Sequence, residues 1–107
     1  MLTLLTLIAK RKLGNAETSE EIERVLSGQI YHDCIPRLLP YDWNYAGKTG
    51  AVDGVRNDIG IVTAPDGRRF ALAVLCQNVT DLRWTAENLG LLAIARLARL
   101  LLVADGE

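Results

Sequence analysis

Lys48, Thr49 and Gly50 are the residues whose types and spacing could do chemistry together. They follow a short apolar run, Trp43–Tyr45, that predicts a strand, and Val55–Ala64 predicts a partner strand. An ammonium and a hydroxyl near one strand edge could hold a ligand, and the glycine would leave room for it against the backbone. Three residues are a weak motif, because an ordinary solvated strand end can carry the same triplet.

Other reactive side chains give weaker signals. His32, Cys34 and Cys76 do not have the spacing of metal ligands, so the sequence predicts no metal site. A disulfide stays open as an alternative, but two buried free thiols are the expected state of the cysteines. His32 is interpreted as a surface residue, and Asp58 as a structural hydrogen-bonding residue.

Composition limits the classes of function. The chain has 107 residues and a net charge of −1, which indicates one domain without the basic excess typical of nucleic-acid or anionic-membrane binding. The apolar start, Met1–Ile8, is followed rather than preceded by positive charges, which is the wrong order for a signal peptide. It is also too short to span a bilayer, and its spacing predicts an amphipathic helix.

The next elements are predicted to be structural. Thr18 and Ser19 precede Glu20 and Glu21, which predicts a hydroxyl cap with carboxylates in the first helical turn. The helix would end near Gly28. Pro36 and Pro40 predict an extended connection without regular structure over residues 33–41.

Three strands and a long helix follow. The strands are predicted over 42–48, 56–62 and 70–76, and Pro65-Asp66-Gly67 is a strong hairpin signal between the last two. The third strand is apolar on both faces, which favours a central strand covered on both sides. The helix, predicted over 81–103, is apolar nearly all round, so neighbours should bury it on several sides.

The predicted fold class is therefore α+β, in the order α-α-β-β-β-α, with a three-stranded antiparallel sheet flanked by helices. The short link Gly50–Gly54 cannot make a parallel crossover, so the strands should form a meander. The last helix should pack across one face of that sheet.

Several of these segments together resemble a known family. Ile35–Pro40, Ala46–Gly50, Arg56–Val62 and Asp66–Arg68 are similar, in order, to the C-terminal part of the class A β-lactamase-like serine hydrolases, members of the penicillin-recognising group. The resemblance covers nearly the whole chain. It implies a single domain over residues 1–107 that is the C-terminal segment of a β-lactamase/transpeptidase-like fold.

The resemblance also implies roles for individual residues. Lys48 would lie beside the nucleophile as a catalytic residue, and the Thr49 hydroxyl would bind a substrate carboxylate. Gly50 would form part of the substrate-binding wall, and the Ala51 N–H would be an oxyanion-hole donor. Arg56 would hold the same carboxylate from the second strand. No cofactor is implied.

The nucleophile of the family does not occur in these 107 residues. It is a serine in a Ser-x-x-Lys motif, whereas Ser19 and Ser27 are followed three residues later by Ile22 and Ile30. Two interpretations stay open. One is the C-terminal part of a serine hydrolase acting on a β-lactam or related amide, inactive alone; the other is a non-catalytic, self-associating binding module.

Partners follow from the same reasoning. We expect either a homo-oligomer, a symmetric dimer through the last helix or a free strand edge, or pairing with a missing N-terminal half. A β-lactam-like small molecule is the expected ligand. Neither nucleic acid nor a membrane is expected as a partner, and the sequence leaves the bacterial cytoplasm and periplasm both open.

Overall fold

The computed structural model describes residues 1–103, so the last residues of the predicted 1–107 domain lie outside the described part. The predicted α+β class and element order are confirmed: the three strands form an antiparallel sheet in the order β1-β2-β3. The elements are α1 (Leu2–Ala9), α2 (Ala16–Ser27), a 3-10 helix η1 (Ile35–Leu38), β1 (Asn44–Val52), β2 (Val55–Thr63), β3 (Arg69–Cys76) and α3 (Leu89–Leu102).

The chain divides into two compact units, which are described separately below. The first comprises Met1–Ile30, Tyr41–Lys48 and Ile59–Ala73, and the second comprises Tyr31–Pro40, Thr49–Asp58 and Val74–Glu107.

The core of the first unit joins α1 to the sheet. Leu5 and Ile8 of α1 are buried with Ile61 of β2, and half-buried Ile22 and Ala71 pack around them. Leu5 and Ile8 lie one turn apart on one face, so the predicted amphipathic helix at the start of the chain is confirmed.

The start of α2 differs from the prediction. The cap is Asn15 rather than Thr18 or Ser19, because the Asn15 Oδ1 accepts a hydrogen bond from the Thr18 N–H at 2.7 Å. Ser19 is instead fully buried. Its hydroxyl accepts from the Leu13 N–H at 3.0 Å and donates to the Leu13 carbonyl at 2.9 Å.

A carboxylate on α2 ties three segments together. Glu23 accepts a hydrogen bond from Arg11 at 2.6 Å and others from Arg69 of β3, which also donates to the Ala9 carbonyl at 3.3 Å. Partial burial alone would raise the pKa of Glu23. The hydrogen bonds from Arg69 and Arg11 outweigh it and hold that pKa below its ordinary value.

The sheet corrects two further expectations. β1 extends to Val52 instead of ending at Lys48. Within residues 1–103 the central strand is β2 rather than β3, and Leu75 of β3 is 70% exposed. An apolar composition indicates that a strand avoids water, but it does not say which neighbour covers the strand.

In the second unit, a 3-10 turn replaces the predicted irregular connection. Pro36 lies in the first turn of η1, where its missing N–H breaks no helical hydrogen bond. The buried Asp58 carboxylate accepts from the Ile35 N–H at 3.0 Å, and Arg37 donates to the Ala86 carbonyl. These non-local bonds support a turn that the two prolines alone do not predict.

The last helix begins at Leu89, not at Asp81. Asn88 caps it by accepting from the Gly90 N–H at 2.8 Å, and its amide donates to the Asp81 and Arg83 carbonyls, both at 2.8 Å. Side chains that bond the backbone compete with helix formation, so the segment before Leu89 stays a loop. α3 packs against η1 and buries Ile94, Ala95 and Ala98.

None of the helices within residues 1–103 has the length and apolar character that crossing a membrane requires.

Replacing Ser19 with alanine should lower the free energy of unfolding by about 1–3 kcal/mol, because the buried Leu13 N–H and carbonyl would lose their hydroxyl partner. Chemical denaturation measures the change. Ser27→Ala is the matched control, since its exposed hydroxyl donates only to the Arg24 carbonyl at 2.7 Å. An equal loss in both variants would contradict this role for Ser19.

Glu23→Gln should lower the free energy of unfolding at pH 7 by about 1–2 kcal/mol. Because the folded pKa of Glu23 is depressed, its stabilisation is fully present above the unfolded value, about 4.3, and is lost as pH falls through the folded pKa. The gap in Tm between wild type and variant should therefore narrow between pH 7 and pH 3. A gap independent of pH would show that the charge of Glu23 is not responsible. Glu21→Gln, which removes an exposed ion pair with Arg24, is the control and should leave Tm unchanged.

Candidate functional site

Four of the five predicted site residues, Lys48 to Ala51, are consecutive on β1. Lys48, Gly50 and Ala51 are exposed, and Thr49 is half-buried. In the described sheet β1 is an edge strand, so these residues lie where a ligand could approach the strand from outside. Successive side chains of a strand point to opposite faces, so the Lys48 and Thr49 side chains leave the strand on different faces.

The surroundings of Gly50 agree with the predicted space for a ligand. A Cβ atom placed on Gly50 would meet no other atom within 4 Å. The structure therefore leaves open the face of the strand that Gly50 shares with Lys48, and Thr49 and Ala51 are the neighbours of Gly50 along β1.

Two other glycines near the site serve packing and were missed by sequence reasoning. A Cβ atom on Gly47 would lie 2.2 Å from the Tyr45 ring, and one on Gly60 would lie 2.6 Å from the Ala46 carbonyl oxygen and from the same ring. The Tyr45 hydroxyl donates to the Ile59 carbonyl at 3.0 Å, which fixes the ring in this position. The spacing of Tyr45 and Gly47, on one face of a strand, was the available signal.

Arg56 is placed differently from the other candidates, because only 2% of its surface is exposed. One terminal nitrogen, Nη1, donates to the Val52 carbonyl at 2.7 Å and to the Val55 carbonyl at 2.8 Å. The other, Nη2, donates to the Arg83 carbonyl at 3.1 Å. Three of its five N–H groups therefore bond backbone oxygens and the side chain is buried, and its role toward a substrate stays a prediction.

The loop before α3 completes the environment of Arg56. The guanidinium carbon lies 4.4 Å from the centroid of the Trp84 ring, within the range of a cation–π interaction. Trp84 is 66% exposed, and no local pattern in the sequence pairs it with Arg56. The Val79 N–H also donates to the Gly54 carbonyl at 3.0 Å, which attaches the β1–β2 turn to the chain after β3.

The remaining reactive groups do not add to the site. Both cysteines are free; Cys34 is buried, but Cys76 is only half-buried, which corrects the expected burial of both. Burial and the neighbouring Asp58 raise the pKa of Cys34 to about 12, so its thiol is not a nucleophile near neutral pH. No metal-binding cluster is found among residues 1–103.

A surface cavity of about 390 Å³ lies in the first unit. Its lining includes Glu20, Glu23, Tyr45, Thr63 and Arg69 and none of the predicted site residues. Glu23 and Arg69 in its wall bond each other. Because no predicted site residue lines this cavity, β1 remains the candidate site.

Comparison with known proteins gives a consistent result. A family model described as "Beta-lactamase enzyme family" matches residues 1–104. A search of curated protein sequences found no match.

Three solved structures are similar to the chain. A β-lactamase from Sphaerobacter thermophilus DSM 20745 is 26% identical with a TM-score of 0.83, and the match covers 94% of this chain and 37% of that one. A β-lactamase from Chitinophaga pinensis DSM 2588 is 28% identical with a TM-score of 0.78, covering 94% and 38%. PBP-A, at 21% identity, shares the fold with a TM-score of 0.80, covering 94% and 36%.

The chain thus spans between 36% and 38% of the length of these structures. Because the family model matches almost all of the chain, residues 1–104, the chain belongs to the β-lactamase enzyme family, as a partial β-lactamase-like segment.

Proposed function

We propose that the chain forms the substrate-binding wall of a β-lactamase-like serine hydrolase that acts on β-lactams or related amides through an acyl-enzyme. In this proposal Lys48 keeps the site electropositive beside the nucleophile, and the Thr49 hydroxyl binds the substrate carboxylate. Gly50 leaves the space that the substrate enters, and the Ala51 N–H donates to the developing oxyanion.

One observation carries the proposal. The Lys-Thr-Gly triplet lies on an edge strand beside open space at Gly50, in a chain that matches the family over residues 1–104. The fold relatives include an acyl-enzyme complex of PBP-A with penicillin G, so a protein of this fold forms the covalent intermediate that the proposal invokes. A wall of this kind needs a nucleophile from another segment.

The two serines of this chain have structural roles that support its inactivity alone. Ser19 is fully buried and bonded to the Leu13 backbone, and Ser27 donates to the Arg24 carbonyl. Neither has a lysine three residues later to accept its proton. We therefore propose that the chain binds substrate but does not form an acyl-enzyme by itself.

Incubation with benzylpenicillin should leave the intact mass of the chain unchanged, and a chromogenic cephalosporin should be hydrolysed no faster than in buffer, because no activated hydroxyl is available. Mass spectrometry and absorbance measure the two outcomes. A penicilloyl adduct on Ser19 or Ser27 would refute the inactivity.

Binding should nevertheless be detectable at β1. Titration with benzylpenicillin, followed by ¹⁵N NMR, should shift the amide signals of Gly50 and Ala51. Thr49→Ala should weaken the binding by about two- to tenfold, because it removes one hydrogen bond to the ligand. Thr6→Ala, on α1, is the matched control and should leave the affinity unchanged. Shifts confined to other segments would refute the proposed wall.

A self-associating module is the second candidate function. Its support is the outward face of α3, where Leu89, Leu97 and Leu100 are 60%, 43% and 78% exposed. Leu89 and Leu100 lie on one face of the helix with Leu97 at its side, and the same exposed face also carries Arg96. Exposed apolar side chains grouped in this way are typical of faces that another surface covers.

If two copies pair through this face, light scattering should give the mass of a dimer at micromolar concentration. Leu97→Glu combined with Leu100→Glu should give a monomer, because it places charge in the buried interface. The exposed-site control is Glu17→Lys on α2. A wild-type chain that is a stable monomer would exclude the dimer.

A further inference from the structure

Arg56 is a buried cation whose partners are backbone oxygens at the ends of the β1–β2 turn. We propose that Arg56 is a positioning residue that clamps this turn, and with it Ala51, in place, rather than a ligand of the substrate carboxylate. The clamp is a property of the folded chain. Only its consequence for the oxyanion donor rests on the proposed function.

The two carbonyls that Arg56 bonds lie at opposite ends of the β1–β2 turn. Val52 ends β1 and Val55 begins β2, so the single nitrogen that bonds both of their oxygens bridges the two ends of the turn. Bonds from a guanidinium are stronger than neutral ones. Ala51 directly precedes Val52, so a movement of Val52 would carry the Ala51 N–H with it.

Arg56 is itself anchored by the loop before α3. Its other nitrogen bonds the Arg83 carbonyl, which also accepts from the Asn88 amide, and its guanidinium lies over the Trp84 ring. On the side of α3, a Cβ atom at Gly90 would come within 3.2 Å of the Arg56 Cγ. The side chain is therefore enclosed by the loop and by the first turn of α3, and it transmits their position to the β1–β2 turn.

Binding of a substrate carboxylate by Arg56 would disturb these contacts. Three of the five N–H groups of the guanidinium donate to carbonyl oxygens, and only 2% of the residue is exposed, so a ligand carboxylate would have to displace the surrounding backbone to reach the side chain. Breaking a bond to Val52 or Val55 would release the turn at the moment when the substrate needs a fixed oxyanion donor. Small displacements of such donors are costly to catalysis.

Hydrogen exchange in Arg56→Lys tests the clamp without any ligand. A lysine keeps the charge but cannot bridge the three carbonyls as a fork does. The Val79 amide, which bonds the Gly54 carbonyl of the turn, should exchange about tenfold faster or more. The Ala64 amide, which bonds the Arg68 carbonyl at 2.8 Å in the other hairpin turn, should be unchanged.

Arg68→Lys is the matched control, since Arg68 lies in the exposed β2–β3 turn and bonds Asp66. It should leave the exchange of Val79 unchanged. Unchanged Val79 exchange in Arg56→Lys would overturn the clamp. So would equal acceleration at Val79 and Ala64, because that would indicate general destabilisation.

A titration of the wild-type chain with benzylpenicillin decides between the two roles even if Arg56→Lys does not fold. The clamp predicts that the Arg56 Nε–H signal stays in place while the Gly50 and Ala51 amides shift. A saturable shift of the Arg56 signal would establish a substrate contact and overturn the proposal. If no signal shifts, the proposed substrate-binding wall is wrong. The clamp is then still decided by comparing exchange of the Val79 amide in the wild type and in Arg56→Lys. If Arg56→Lys is unfolded, Arg56→Gln takes its place.

Discussion

The buried charges of β2 are the constraint on which the second unit depends. Arg56 and Asp58 lie two residues apart on this strand, and both are buried. Arg56 bonds the neighbouring β1–β2 turn and the loop before α3, and Asp58 accepts a hydrogen bond from the first residue of η1. The removal of either side chain would leave buried polar groups without partners, so these bonds specify where the connecting segments lie as well as stabilising them.

Local sequence signals predicted the order of the elements and most strand positions. Alternation over β2 and the Pro65-Asp66-Gly67 turn act over a few residues, and the structure follows them. Two of the errors concern elements whose bounds depend on side-chain bonds to other segments. The start of α3 depends on Asn88, which bonds the Asp81 and Arg83 carbonyls, and η1 depends on a carboxylate of β2. Such partners are not visible in a window of neighbouring residues.

The candidate site likewise has features that follow from local sequence and features that depend on distant residues. A strand up to Lys48 could be predicted, because the apolar run before it is a local feature, whereas its continuation through residues 49–51 was not predicted. The environment of Arg56 could not be predicted, because its burial depends on Trp84 and Gly90, which are far away in the sequence. The structure gives Arg56 backbone partners that the family motif does not contain.

The ring of Tyr45 links three positions of the sequence. It occupies the space in which side chains at residues 47 and 60 would otherwise stand. A substitution at either glycine alone would collide with the ring, whereas a smaller residue at position 45 would open a void above both. Substitutions at these three positions should therefore be correlated in evolution. In related sequences, an aliphatic residue at 45 should appear together with side chains at 47 or 60, and an aromatic residue with glycines.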